Sequence, residues 1–233
     1  MPEHKLRLTI LSGAGVSADS GLKTFRDHDG LWENYNVYDV ATPEAWQRNP
    51  ELVLEFYNKR RREVKKATPN AGHIALASLQ DHFDVQIVTQ NIDDLHERAG
   101  SRNVLHLHGE IFKSRSTGTH TVYPIEGTEL NPGDCCPAGS QLRPHIVWFG
   151  EEVPMLEQAI PLFETADIVL VAGTSLEVYP AAGLIQFSGN ARAHLLVDPK
   201  MPRAISTTRY KWFNENAATG LPKAASWLIE QFT

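Results

Sequence analysis

The chain has 233 residues, of which 28 are Asp or Glu and 22 are Lys or Arg, so its net charge is −6; 42% of it is hydrophobic and 21% charged. That balance describes a folded protein of one or two units and excludes a largely disordered chain. It also argues against a partner that is nucleic acid, since neutralising phosphates needs clustered Lys and Arg, and no apolar run approaches the ~20 residues of a membrane span.

Residues 1–13, MPEHKLRLTILSG, read as a charged lead into a strand rather than a secretion signal. The only cysteines, Cys135 and Cys136, are adjacent, which suits no disulfide framework. A cytoplasmic protein is expected, and without a coiled-coil or long apolar seam a monomer.

In chain order, residues 6–11 (LRLTIL) read as a buried strand that runs into a Gly-rich turn, and residues 51–66 and 71–82 as helices. Strands are expected again at 84–89, 104–107, 167–172 and 194–197, with helices at 155–166, 180–188 and 222–231. Alternating strands and helices predict an α/β fold, a Rossmann-like doubly wound parallel sheet that binds ligands at the carboxyl ends of its strands. Residues 27–66 show no strand and read as a helical insertion, while the polar stretch 111–143 holds both cysteines. The expected division is a large domain of residues 1–26, 69–110 and 144–233, with a small inserted module of 27–68 and 111–143.

Six further stretches carry chemistry. LSGAGVSADSGLKTFRD (11–27) follows the first strand, and Gly13, Ala14 and Gly15 would let backbone N–H groups approach a pyrophosphate, although the spacing is not G-x-G-x-x-G. TQNIDDLHERAG (89–100) sets Gln90, Asn91 and Asp93 where a strand end becomes a helix, and HGE (108–110) follows the next strand. HIVWFGE (145–151) and GTSLEVYPAAG (173–183) come after these. In the helix at 51–66, Tyr57 and Arg60 lie three apart on one face, and an Arg fork beside a phenol suits a carboxylate. The neighbouring Lys59, Arg61, Arg62, Lys65 and Lys66 read as a solvated basic face.

With these motifs in this order, the sequence resembles the sirtuins, NAD-dependent protein-lysine deacylases, over nearly its whole length. The resemblance implies that NAD is consumed as a co-substrate and that acyl-lysine proteins are the partners. Ala14, Gly15, Phe25 and Arg26 would hold the pyrophosphate and cover the nicotinamide ribose, with Gln90, Asn91 and Asp93 binding that ribose and the carboxamide. Gly173, Thr174 and Ser175 would contact the phosphates and adenosine ribose. His108 would be the general base, as an imidazole titrating near pH ~6.5 can take a proton from a ribose hydroxyl. His106 is read as facing away from it. Val147, Phe149 and Gly150 on one side, and Glu177 and Val178 on the other, would clamp the substrate backbone as an added strand. Tyr-x-x-Arg at 57–60 resembles the class III members, those that prefer succinyl- or malonyl-lysine, and removal of acetyl groups is expected alongside.

The resemblance fails in two places. Most sirtuins hold a structural zinc with two Cys-x-x-Cys pairs, whereas here Ser116 stands where a first cysteine is expected and the second pair is reduced to DCCPAGS, a degenerate zinc-ribbon-like segment. No metal is therefore expected, and a hairpin through 120–123 is. At VDPK (197–200), Asp198 replaces a usual Asn and would accept from ribose hydroxyls, while Ala217 is aligned with the adenine.

Overall fold

The computed structural model describes residues 5–23, 31–32, 35–205 and 208–233. Its main sheet has six parallel strands in the order β11-β10-β9-β1-β4-β5. These are β1 (Arg7–Ser12), β4 (Asp84–Thr89), β5 (Val104–His106), β9 (Ile168–Ala172), β10 (Ala193–Val197) and β11 (Lys211–Phe213). Alternate side chains of each strand enter opposite cores, as the two-residue repeat requires. Leu8, Ile10, Ile168, Leu170 and Leu195 pack on one side beneath α5 (Ala71–Ser78) and α8 (Ala217–Phe232). Leu11, Val169, Val171 and Leu196 pack on the other beneath α7 (Leu156–Glu164) and a 3-10 helix, Ala181–Phe187. Burying each such side chain stabilises the fold by roughly 1.5–3 kcal/mol. Among the described residues, no helix is long and apolar enough to cross a membrane.

The chain winds outward from β1 in both directions, through β4 and β5 on one side and β9, β10 and β11 on the other. This reversal is the switch point at which open α/β sheets leave a crevice. The sheet thus matches the doubly wound expectation, with three differences. The β11 strand went unread because its three residues sit half exposed at an edge and show no alternation. Helix α8 begins at Ala217, five residues before Pro222, which sits inside the helix rather than in its first turn. Residues 181–187, read as α-helical, wind as a 3-10 helix.

A third core lies beside the sheet. It gathers α2 (Val37–Val40), α3 (Pro43–Arg48) and α4 (Pro50–Lys66) against a three-stranded antiparallel sheet ordered β7-β6-β8. Those strands are β6 (Gly109–Ser116), β7 (Val122–Pro124) and β8 (Leu142–Ile146). The expected hairpin is the β6–β7 turn, where His120 takes a positive φ of 60°. The stretch 27–66 does hold strands, a correction to its reading as purely helical: β2 (Leu31–Trp32) and β3 (Tyr35–Asn36) form a two-residue ladder too short to give a periodic signal.

Helix α4 carries a second correction. Arg61, read as solvated, is fully buried. Its Nε donates to Ile111 O at 2.7 Å, and one guanidinium nitrogen donates to Asn58 Oδ1 at 2.7 Å and to Thr128 O at 2.8 Å. Burial lowers its pKa to about 10, still far above neutrality. Arg61 thus ties α4 to the 111–143 stretch, whereas Arg62 pairs with Glu129 in the open at 2.7 Å. Replacing Arg61 with Met would strand buried carbonyl acceptors at ~1–3 kcal/mol each, so urea unfolding is expected to show a loss of about 3 kcal/mol. Arg62→Met should cost no more than ~1 kcal/mol; equal effects would contradict the structural role of Arg61.

Candidate active site

The carboxyl ends of the sheet open into a cleft of about 660 Å³ between the main sheet and the third core. Five of the six strands deliver a piece of it. After β1 come Gly13, Ala14 and Gly15, at the start of the short helix α1 (Gly15–Ala18). After β4 come Gln90, Asn91 and Asp93, and after β9 come Gly173, Thr174 and Ser175. Asp198 follows β10, and His108 sits in the turn between β5 and β6. The third core contributes Tyr57 and Arg60 from α4. Val147, Phe149, Gly150, Glu177 and Val178 line the cleft as well. Phe25 and Arg26 lie outside the described residues. Ala217 does not line the cleft: it is buried in the core under α8, and its carbonyl faces Gly72.

The β1 and β9 loops touch through backbone alone. A Cβ on Gly15 would stand 2.8 Å from Gly173 Cα, and Gly173 itself has φ +59°. Both positions therefore require glycine, and the contact itself spends two loop N–H groups, Gly13 N on Ala172 O at 3.0 Å and Gly15 N on Gly173 O at 2.9 Å. Next to them, buried polar side chains satisfy one another. Asn91 Nδ2 donates to Gly13 O and Ser17 Oγ at 3.1 Å each, and Ser17 Oγ donates to Asp93 Oδ2 at 3.0 Å. Ser12 Oγ donates to Thr89 Oγ1 at 2.8 Å, which also accepts from Asn91 N at 3.0 Å. Burial raises the Asp93 pKa, opposed by its bonds from Leu95 N and Ser17 and by the charges of His106 and Arg60. Ser17 was passed over in the sequence, although it stands in the quoted glycine loop.

The two histidines do not diverge as read. Residues two apart in extended chain share a face, and His106 and His108 both turn to the same short segment. His106 Nδ1 meets Asn91 O at 2.9 Å and His108 Nδ1 meets Gln90 O at 3.1 Å. Because a carbonyl only accepts, His108 carries its proton on Nδ1 and presents Nε2 as the base. Burial lowers the His108 pKa against the opposing pull of that carbonyl, so the ring is neutral at pH 7. The turn is fixed by Gly109, whose φ is +84° and where a Cβ would collide with His145 O.

On the α4 side, Tyr57 is fully buried. Trp148 Nε1 donates to Tyr57 Oη at 3.0 Å, and burial drives the phenol pKa upward, so it stays a neutral hydroxyl. Trp148 in turn lies against Arg143, whose guanidinium is 3.3 Å from the ring centroid. Arg143 grips Glu151 through two nitrogens at 2.7 and 3.1 Å, and Glu151 accepts Trp148 N at 2.8 Å. Glu151 stood in the quoted HIVWFGE motif, but nothing local marked it as an anchor. Arg60 donates to Lys23 O at 2.9 Å and lies 3.6 Å from Glu63.

In the 111–143 stretch, Ser116 Oγ donates to the buried Cys136 Sγ at 3.2 Å, while Cys135 is exposed. Two thiols and a hydroxyl do not make a four-ligand zinc site. Among the described residues no group of three or more His, Cys, Asp or Glu could hold a metal.

A Sir2 family model matches residues 13–180. A protein of Helicobacter pylori described as an NAD-dependent protein deacylase is 49% identical over 96% of this chain and 97% of its own. Among solved structures, a Sir2 homologue mutant bound to ADP-ribose superimposes with a TM-score of 0.88 at 38% identity, covering 96% of this chain and 92% of its own. A Sir2 homologue–NAD complex gives 0.87 at 37%, covering 97% and 90%. The chain belongs to the Sir2 family.

Behind the cleft, His73 and His96 pack edge to face, 5.0 Å between centroids, both fully buried. His96 Nε2 reaches Ser12 Oγ at 2.9 Å, and Asn70 N–H donates to His73 Nδ1 at 3.3 Å. The remaining nitrogens, His73 Nε2 and His96 Nδ1, have no partner among the described residues. Burial lowers the pKa values to about 4 and about 3. Unfolded histidines titrate near ~6.5, so the unfolded chain binds more protons in acid and stability falls as pH drops from ~6.5 through ~4. Calorimetry is expected to show a falling melting temperature across that window, less steep in the His73→Gln/His96→Gln double variant; a flat wild-type profile would contradict the neutral pair.

Proposed function

We propose that the chain is an NAD-dependent protein-lysine deacylase that removes succinyl and malonyl groups and also acetyl. NAD is consumed in the reaction, supplying the ribose carbon that takes the acyl oxygen and giving up nicotinamide. The observation that carries the reading is His108, neutral and with Nε2 presented, in one cleft with the Gly13–Gly15 loop and the Asn91–Asp93 turn. His108 accepts a proton from a ribose hydroxyl at Nε2 and holds it, while its Nδ1–H stays on Gln90 O. Asn91 and Asp93, fixed by Ser17 and Gly13, orient the nicotinamide ribose. Gly173, Thr174, Ser175 and Asp198 take the adenosine side, with Phe25 and Arg26 in the same role as the sequence resemblance assigns them.

The acyl preference rests on Tyr57 and Arg60. Both line the cleft from one face of α4, deep enough that a carboxylate meeting them would be partly desolvated. A charged hydrogen bond there is worth ~1.5–3 kcal/mol. An acetyl group needs neither residue, so the pocket selects without excluding. Val147, Phe149, Gly150, Glu177 and Val178 flank the entry and suit a peptide bound through its main chain. The same reading takes the protein as a cytoplasmic monomer, with residues 27–68 and 111–143 as a module that uses Arg61 and the Ser116–Cys136 contact in place of zinc.

One lysine peptide in succinyl, malonyl and acetyl forms, incubated with and without NAD and followed by mass spectrometry, tests the activity. NAD-dependent loss of all three with nicotinamide release is expected, faster for the acidic groups. No loss from any form would leave a binding module or a transferase of ADP-ribose. His108→Ala should lower kcat by ~10²–10⁴-fold with NAD still bound. Arg60→Met/Tyr57→Phe should raise KM for the succinyl peptide ~10–100-fold, the equivalent of the lost charged hydrogen bonds, while acetyl turnover changes only a few-fold; equal loss of both would remove the carboxylate assignment. Elemental analysis of the purified chain should find no stoichiometric zinc.

A further inference from the structure

His106 lies between two groups that can only accept hydrogen bonds. Its Nδ1 is 2.9 Å from the main-chain oxygen of Asn91, and its Nε2 is 2.7 Å from Glu97 Oε1, on the short helix α6 (Leu95–Arg98). A carbonyl and an ionised carboxylate offer no proton, so satisfying both contacts requires a proton on each ring nitrogen. Turning the ring over would place carbon atoms at both acceptors. His108 differs, for it meets one acceptor, and its other nitrogen has no partner among the described residues. The chain therefore sets a cationic imidazole and a neutral one two residues apart, both fastened to the Gln90–Asn91 segment.

We propose that His106, as an imidazolium, is a positioning residue for the reaction: it holds the Asn91–Asp93 turn in its working shape, and loss of its proton sets the alkaline limit of turnover. The proposal rests on the deacylase reading above. His108 sets the acid limit, since it must be neutral to act as a base. When His106 loses a proton, one nitrogen lone pair must face either the Asn91 oxygen or the Glu97 carboxylate, and that contact becomes repulsive. A released Asn91 carbonyl frees the turn whose side chains contact Gly13 and Ser17. The buried Asp93 carboxylate also loses a cation that favours its ionised form.

The charges around the ring favour the cation. Glu97 faces it from α6, Glu110 from β6 and Asp93 from the turn, while His96 on α6 is itself held neutral by burial. Lys113 acts on Glu97 and leaves it ionised. Burial of His106 works against its charge, yet the Glu97 bond and charge prevail and raise its pKa. The two acceptor contacts call for the cation, and it disappears as pH rises through the raised value.

Two measurements test this. In uniformly ¹⁵N-labelled protein, the His106 ring signals, assigned by their loss in His106→Gln, should show both nitrogens protonated at pH 7. Separately, kcat/KM for an acyl peptide would be followed from pH 5.5 to 10 in the native chain, Glu97→Gln and His106→Gln. The native profile should be bell-shaped. Glu97→Gln should move the alkaline limb at least tenfold in proton concentration toward acid, His106→Gln should flatten it at a reduced rate, and the acid limb should stay in place. A neutral His106 ring at pH 7, or an alkaline limb indifferent to Glu97→Gln, would overturn the proposal. A chain that turns over no acyl peptide at any pH refutes the deacylase reading instead, and the ring signals then decide the charge of His106 by themselves.

Discussion

The close approach of the β1 and β9 loops, backbone against backbone at Gly15 and Gly173, is the constraint on which the cleft depends. A parallel sheet that reverses its winding at β1 leaves the carboxyl ends of its strands diverging into a crevice. Only glycine on both sides lets the two loops approach this closely, with the N–H groups of Gly13 and Gly15 donating across the contact to Ala172 O and Gly173 O. From this point outward the site is filled by short polar residues, Ser12, Ser17, Thr89 and Asn91, whose donors and acceptors are matched to one another. Matching of that kind is required of any polar group taken out of water, and it also makes the Asn91–Asp93 turn rigid.

Two histidines use this rigid turn differently. Both attach Nδ1 to consecutive carbonyls, but only His106 has a carboxylate at its other nitrogen. One hydrogen bond to Glu97 thus separates an imidazole that is helped to hold its extra proton from one that burial keeps neutral, within three residues of chain. Environment, not residue type, assigns the roles. The more distant pair, His73 and His96, shows the third outcome: burial drives both neutral.

The α4 side of the cleft follows the same logic with larger groups. Tyr57 is held through Trp148, Trp148 through Arg143 and Glu151, so a single phenol is backed by a buried ion pair stacked on an indole. Burial raises the Tyr57 pKa and keeps the hydroxyl protonated, the form that can donate. The neighbouring Arg60 brings the charge.

The strands at the centre of the sheet, the glycine loop and the spacing of Tyr57 and Arg60 were all legible in the sequence, because periodicity and local geometry are properties of neighbouring residues. The quoted motifs likewise held most of the residues that line the cleft, although Ser17 and Glu151 within them were not singled out and Ala41, Val153 and Met201 lay outside them; Ala217, placed there by alignment alone, belongs to the core. What the sequence left undecided was which members of a repeated type do which job. Arg61 and Arg62 are adjacent and look alike, yet one is buried among the carbonyls of Ile111 and Thr128 and the other pairs with Glu129 in solvent. His106 and His108 are equally alike, and their protonation depends on Glu97 reaching one and not the other. The sequence by itself determined the central strands of the sheet, the loops that follow them and the chemical types at the cleft. Tertiary structure alone decided burial, charge state and partner, because these depend on groups that the fold brings together from distant parts of the chain.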